Sequence, residues 1–189
     1  MKNSKVFSKM ILVIAIFIGQ GAFAQSELSG ITKMVGGAEM FPTKNIIENA
    51  VNSKDHTTLV AAVKAAELVE VLSGDGPFTV FAPTNAAFDK LPEGTVGTLV
   101  KPENKETLQT ILTYHVVAGK WDAAAIIGMM VDGKAVIKTV SGGALTAWMK
   151  GDAVYVTDEN GNSAKVTIAD VNQSNGIIHV IDSVLLPAM

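Results

Sequence analysis

The sequence predicts an α+β domain with an antiparallel sheet or sandwich. Three observations carry this. Helical apolar spacing is gathered in the first half of the chain, short β-prone segments separated by turn sequences fill the second half, and the two do not alternate as βαβ units would. No solenoid period is present.

The chain opens with Lys2, Lys5 and Lys9, an apolar run from Met10 to Ile18, and Ala22-Phe23-Ala24. A basic start, a short apolar core and a small-x-small site make residues 1–24 a cleavable export signal. A membrane span needs about 20 apolar residues, and Gly19, Gln20 and Gly21 interrupt this one, so no membrane insertion is expected after cleavage. A periplasmic or extracellular product follows. Removing residues 1–24 from the 189 leaves 165, the size of one domain with its own core. Residues 25–42, with Gly36-Gly37 and Pro42, read as a flexible leader with little packed structure, and 43–189 as the single domain.

In the domain, Ile46, Ile47, Ala50 and Val51 predict one helix, and Leu59, Val60, Val63, Ala66 and Leu68 a second that Gly74 and Gly76-Pro77 stop. Phe78-Thr79-Val80-Phe81-Ala82, closed by Pro83, suits a buried strand. Thr84 or Asn85 then caps a short helix through Phe88 and Leu91 that Pro92 ends. A longer helix over 103–116 places Leu108, Ile111, Leu112 and His115 on one side, so His115 points at the core. Beyond Trp121 come five β-prone segments, 136–140, 144–149, 153–157, 165–168 and 177–181. Ser141-Gly142-Gly143, Lys150-Gly151-Asp152 and Asn160-Gly161 punctuate them as hairpin turns.

Beyond the export signal the chain holds 12 lysines, no arginine and 18 acids, a formal charge of −6. Phosphate backbones require clustered cations, so nucleic acid is excluded as a partner and an anionic membrane surface is disfavoured. With no cysteine there is no disulfide, no thiolate metal site and no thiol to carry a lipid.

The sequence offers little catalytic chemistry. No G-x-S-x-G elbow occurs. His179 and Ser183 on a strand would stand about 13 Å apart, too far for proton transfer. His56, His115 and His179 form no H-x-H or H-x₃-H pair, so no metal is expected. Asp158-Glu159-Asn160-Gly161-Asn162 has a calcium-loop look, but its glycine falls at position 4 and Ala169 at position 12, so a hairpin turn explains it better. Gly119-Lys120 and Gly133-Lys134 lack the glycine and hydroxyl of a phosphate loop. No cofactor is implied.

Three segments in order resemble the fasciclin (FAS1) domain over about residues 45–187. They are Gly76-Pro77-Phe78-Thr79-Val80-Phe81-Ala82-Pro83-Thr84-Asn85-Ala86-Ala87-Phe88, then Leu112-Thr113-Tyr114-His115-Val116-Val117, then Ser174-Asn175-Gly176-Ile177-Ile178-His179-Val180-Ile181-Asp182-Ser183-Val184-Leu185-Leu186-Pro187. The resemblance implies a wedge-shaped antiparallel β-sandwich with a packed cluster of helices. It also implies a non-catalytic adhesion or matrix module, monomeric or weakly self-associating, that binds a cell-surface protein or a polysaccharide. By family position Asp170, Val171, Tyr114 and His115 are binding candidates, Asp170-Val171 standing where animal members carry an Asp-Ile pair tied to integrin binding. Thr79, Asn85 and His179 are structural motif residues.

Each also has a plain reading: a neutral, hydrogen-bonded core residue for His115 and His179, a cap on the 172–176 turn for Asp170, and a cap or brace of its own helix for Asn85. The alternative function is an exported small-ligand carrier or hydrolase with a pocket around Trp121, Trp148 or His179.

Overall fold

The computed structural model describes residues 32–188, so the expected export signal, residues 1–24, and residues 25–31 lie outside it. Residues 33–40 are not leader. They form a hairpin of β1 (Lys33–Val35) and β2 (Ala38–Met40), with Val35 and Met40 buried in the core. Gly36 and Gly37 both have positive φ, +58° and +75°, the backbone of a two-residue hairpin turn. The dipeptide read as a loop breaker is therefore the turn, and strands of three residues are too short to show a period.

Helices follow as predicted, with one break. Asn45 caps α1 (Ile46–Ala50) in a reciprocal box with Glu48: Glu48 N–H donates to Asn45 Oδ1 (2.9 Å) and Asn45 N–H to Glu48 Oε2 (2.8 Å). The single helix expected across 59–68 is two, α2 (Thr57–Ala65) and α3 (Val69–Ser73). Leu68 N–H donates to Val63 C=O and Glu67 N–H to Lys64 C=O, a Schellman ending. Its left-handed position, usually glycine, is held by Glu67 at φ +57°. Its carboxylate pairs with Lys105. Thr84 caps α4 (Asn85–Phe88), α5 covers Thr95–Leu99 and α6 covers Lys105–Tyr114.

The large sheet runs β4 (Val116–Ala118), β3 (Phe78–Pro83), β9 (Gly176–Ile181), β8 (Ser163–Gln173), β7 (Ala153–Thr157), β6 (Ala144–Lys150), β5 (Lys134–Lys138). Every pairing is antiparallel except β3 with β9. The three predicted turn sequences each join antiparallel neighbours. Beyond Trp121 stands a helix outside the expected β-prone series, α7 (Ala123–Gly128), whose local signal is Asp122 ahead of three alanines: Asp122 Oδ1 accepts from Ala125 N–H.

Eleven-residue β8 bends where its pairing with β9 slips around Ile168 and Val171, with Asp170 at φ +56°, as bulged strands do. The bend folds the sheet over, and Val140 N–H reaches Val116 C=O (2.8 Å), so the two edge strands meet at one end. Two cores result. Val80, Ala82, Ile178 and Val180 face the helices with Leu59, Leu72 and Leu112. Phe81 and Ile181 face the interior of the folded sheet with Ile137, Leu145 and Val156. Strands β3 and β9 are covered on both sides, which is why they read as unbroken apolar runs.

Candidate binding site

His115 closes α6 with both ring nitrogens engaged. Leu185 N–H donates to Nε2 (3.0 Å), so Nε2 holds the lone pair and Nδ1–H donates to Ile111 C=O (2.8 Å). Burial pushes its pKa down from 6.5 to about 4, against the pull of the Ile111 carbonyl and the Asp158 carboxylate. Tyr114 is fully buried. Its hydroxyl donates to Ala144 C=O (2.9 Å) and accepts from Glu159 N–H (3.1 Å). Burial raises the phenol pKa, with the Glu159 N–H opposing. Gly143 packs against this ring, since a Cβ there would lie 2.6 Å from Tyr114 Cε2. The pair thus ties the end of α6 to two hairpin turns and to the C-terminal segment.

Thr79, Asp170 and His179 converge from β3, β8 and β9 on one loop, residues 119–123. Thr79 Oγ1 donates to Gly119 C=O (2.7 Å) and accepts from Trp121 N–H (2.9 Å). His179 accepts from Asp170 N–H at Nδ1 (3.3 Å), so its Nε2–H donates to Trp121 C=O (2.8 Å). Its ring stacks on Phe81, centroids 5.5 Å apart. Burial lowers its pKa, against the Trp121 carbonyl and the nearby carboxylates of Asp170 and Asp122. Asp170 Oδ1 accepts from Ala123 N–H (2.7 Å). The expected cap on the 172–176 turn is instead a cap on α7, because the left-handed backbone at Asp170 turns the side chain toward that helix.

Asn85 does not cap its own helix, a role Thr84 fills. It braces the start of α2: Nδ2 donates to Lys54 C=O (2.8 Å), and Oδ1 accepts from Thr58 N–H (3.0 Å). Asp158 lies buried in the turn that looked like a calcium loop, its oxygens accepting from the backbone N–H groups of Asn160, Asn162 and Leu186. Amide donors in a hairpin account for it.

Val171 is 1 % exposed, Tyr114 0 % and His115 3 %. In this conformation these three binding candidates present no side chain to a macromolecule. Asp170 is half-buried, with one oxygen committed. Trp148, around which a pocket was one expectation, stacks on Tyr155 across β6 and β7 (4.9 Å), and its Nε1–H donates to Thr157 Oγ1 (2.8 Å). Between the helices and the sheet lies an apolar cavity of about 50 Å³ lined in part by His56, small beside the roughly 150 Å³ that admits benzene. Near Trp121, by contrast, an open apolar groove of about 370 Å³ lies between Val117, Trp121, Met129 and Val136. A polar groove of about 570 Å³ runs by Asp75, Lys120 and Ser174. Among the described residues no group of three His, Cys, Asp or Glu side chains is placed to hold a metal ion, and no helix is long and apolar enough to cross a membrane.

Thr79 and His179, with Asp170, thus act as a framework around the 119–123 loop, and the sequence model of the fasciclin domain matches residues 54–187. The chain belongs to the fasciclin domain family. It is 49% identical to protein sll1483 of Synechocystis over 168 residues, covering 89% of this chain and 87% of that one. It is 39% identical to the immunogenic protein MPB70 of Mycobacterium bovis, covering 73% and 66%. It is 33% identical to the cell surface glycolipoprotein MPB83 of the same species, covering 92% and 73%. The FAS1 domain pair of the insect cell adhesion molecule Fasciclin I shares the fold, with a TM-score of 0.68 at 18% identity over 76% of this chain and 51% of that pair. The expected FAS1 wedge of sheet and helices is the fold observed.

Proposed function

We propose that this protein is an exported, non-catalytic binding module that attaches to a surface protein or polysaccharide outside the cytoplasm. The observation that carries the reading is the consumption of polar chemistry inside the fold. Thr79, Tyr114, His115 and His179 spend their hydrogen-bonding groups on backbone partners, while open grooves remain on the outside. A framework that commits its histidines, tyrosine and threonine to fixing loops suits recognition rather than turnover. The cell-surface relative in Mycobacterium bovis supports the location, and the polar groove beside Lys120 supports the polysaccharide arm.

The test is retention of the purified protein on immobilised envelope and extracellular-polymer fractions of the producing organism, together with an attachment assay on a deletion strain. Saturable retention with the captured polymer chemically unchanged is expected. Absence of retention together with unchanged attachment refutes the reading, and release of cleaved polymer would turn it toward a hydrolase.

A further inference from the structure

We infer that the open edge of β5 is a docking site for an extended peptide strand carrying acidic residues on either side of an apolar centre. This deepens the binding-module reading and rests on it. Thr139 N–H donates to Gly143 C=O, which fixes the alternation along β5. Residues 135, 137 and 139 spend their backbone groups on β6, and the even-numbered residues turn theirs outward. Lys134 exchanges both of its outward bonds with Val131, and Val140 N–H is taken by Val116 C=O. Between these two closures Val136 and Lys138 offer their N–H and C=O groups to the gap separating β5 from β4, and β5 has no strand partner besides β6 among the described residues. A row of unpaired backbone donors and acceptors is matched by another extended polypeptide.

Side chains specify the partner. Val136 is 72 % exposed, with Val131 at 74 % and Val140 at 51 % beside it, and Lys134 and Lys138 flank it on the same outer face, both exposed. The groove beneath is apolar, and Trp121 stands at its wall. Val131 holds the place opposite Lys134, so an added strand pairs with Val136 and Lys138: residues opposite these two point outward, those opposite Ala135 and Ile137 point inward toward the groove, and the residue before them leaves the sheet beside the Lys134 ammonium. Charge complementarity therefore reads glutamate, apolar, β-branched, apolar, glutamate. The same lysines disfavour a second copy, because antiparallel self-pairing centred on Val136 sets Lys134 against Lys138 of the other molecule.

The test uses a fluorescein-labelled peptide, Thr-Thr-Glu-Val-Thr-Val-Glu-Thr-Thr, titrated into the purified protein at low salt, with a second peptide in which lysines replace both glutamates. Saturable binding is expected, with shifts of the Val136 and Lys138 amide resonances, and about tenfold weaker binding by the lysine peptide. Val136→Pro deletes an N–H that β6 does not use, a substitution that edge strands tolerate, so it should keep the melting temperature and lose the peptide. The double variant Lys134→Glu, Lys138→Glu, which leaves the backbone alone, should exchange the preference between the two peptides.

No saturable binding, or binding undiminished in both variants, overturns the inference. So does a dimer in sedimentation that Val136→Pro abolishes, which would make the occupant a second copy. Retention on envelope fractions that survives these failures leaves the broader reading standing, and its loss as well removes both.

Discussion

His115 makes acid stability of this domain calculable. The unfolded imidazole titrates near 6.5 and the folded one at about 4, so from pH 6.5 downward the unfolded chain takes up a proton that the folded chain refuses. The stabilisation is complete above pH 6.5, declines as pH falls, and is exhausted at about pH 4. Each unit of that window is worth about 1.36 kcal/mol. At pH 5, before most carboxylates titrate, His115 alone should therefore cost about 2 kcal/mol relative to pH 7.5. His56 and His179, also lowered chiefly by burial, steepen the loss. Urea melts across pH 7.5 to 5 measure it, with the His115 ring resonances followed by NMR in the folded state. The structural cause is specific: a second ring proton would point Nε2–H at the Leu185 N–H that now donates to it. A folded His115 that titrates near 6.5, or a midpoint that stays level across this range, refutes the clamp.

Tyr114→Phe should lower stability by about 1–3 kcal/mol, since Ala144 C=O and Glu159 N–H both lose their partner; an unchanged urea midpoint would show the hydroxyl to be dispensable. Glu67→Gly should raise stability by about 0.5–1 kcal/mol, because glycine takes the left-handed position without the Cβ penalty. Loss of the exposed pair with Lys105 offsets little of that. A lower melting temperature in this variant would mean that the ion pair, not the backbone, governs the α2–α3 corner.

Class, helix order and most strands were legible because their cues are local. The 105–114 helix shows its apolar stripe, and the hairpin turns carry glycines at Gly142, Gly151 and Gly161, all at positive φ. What was hidden depends on partners distant in sequence. The β1–β2 hairpin is recognisable as packed only from Val35 and Met40 meeting a core whose other members run from Ile46 to Val180. The α2–α3 break rests on a glutamate where glycine is the usual marker. Asp170 was placed by the family motif, yet its target, Ala123 N–H, lies 47 residues away. The alternation of Lys134, Val136 and Lys138 was visible, but the openness of that edge required the sheet order.

The parallel contact between β3 and β9 has a consequence for biogenesis. Strand β9 inserts at the middle of the sheet, pairing Phe78 with Gly176 and Pro83 with Ile181, so the sheet cannot assemble around β3 until the residues as far as Ile181 are available. Contacts spanning about 98 residues slow folding. On the proposed route out of the cytoplasm, this delay keeps the polypeptide threadable during transfer, and the final shape forms only once β9 is available.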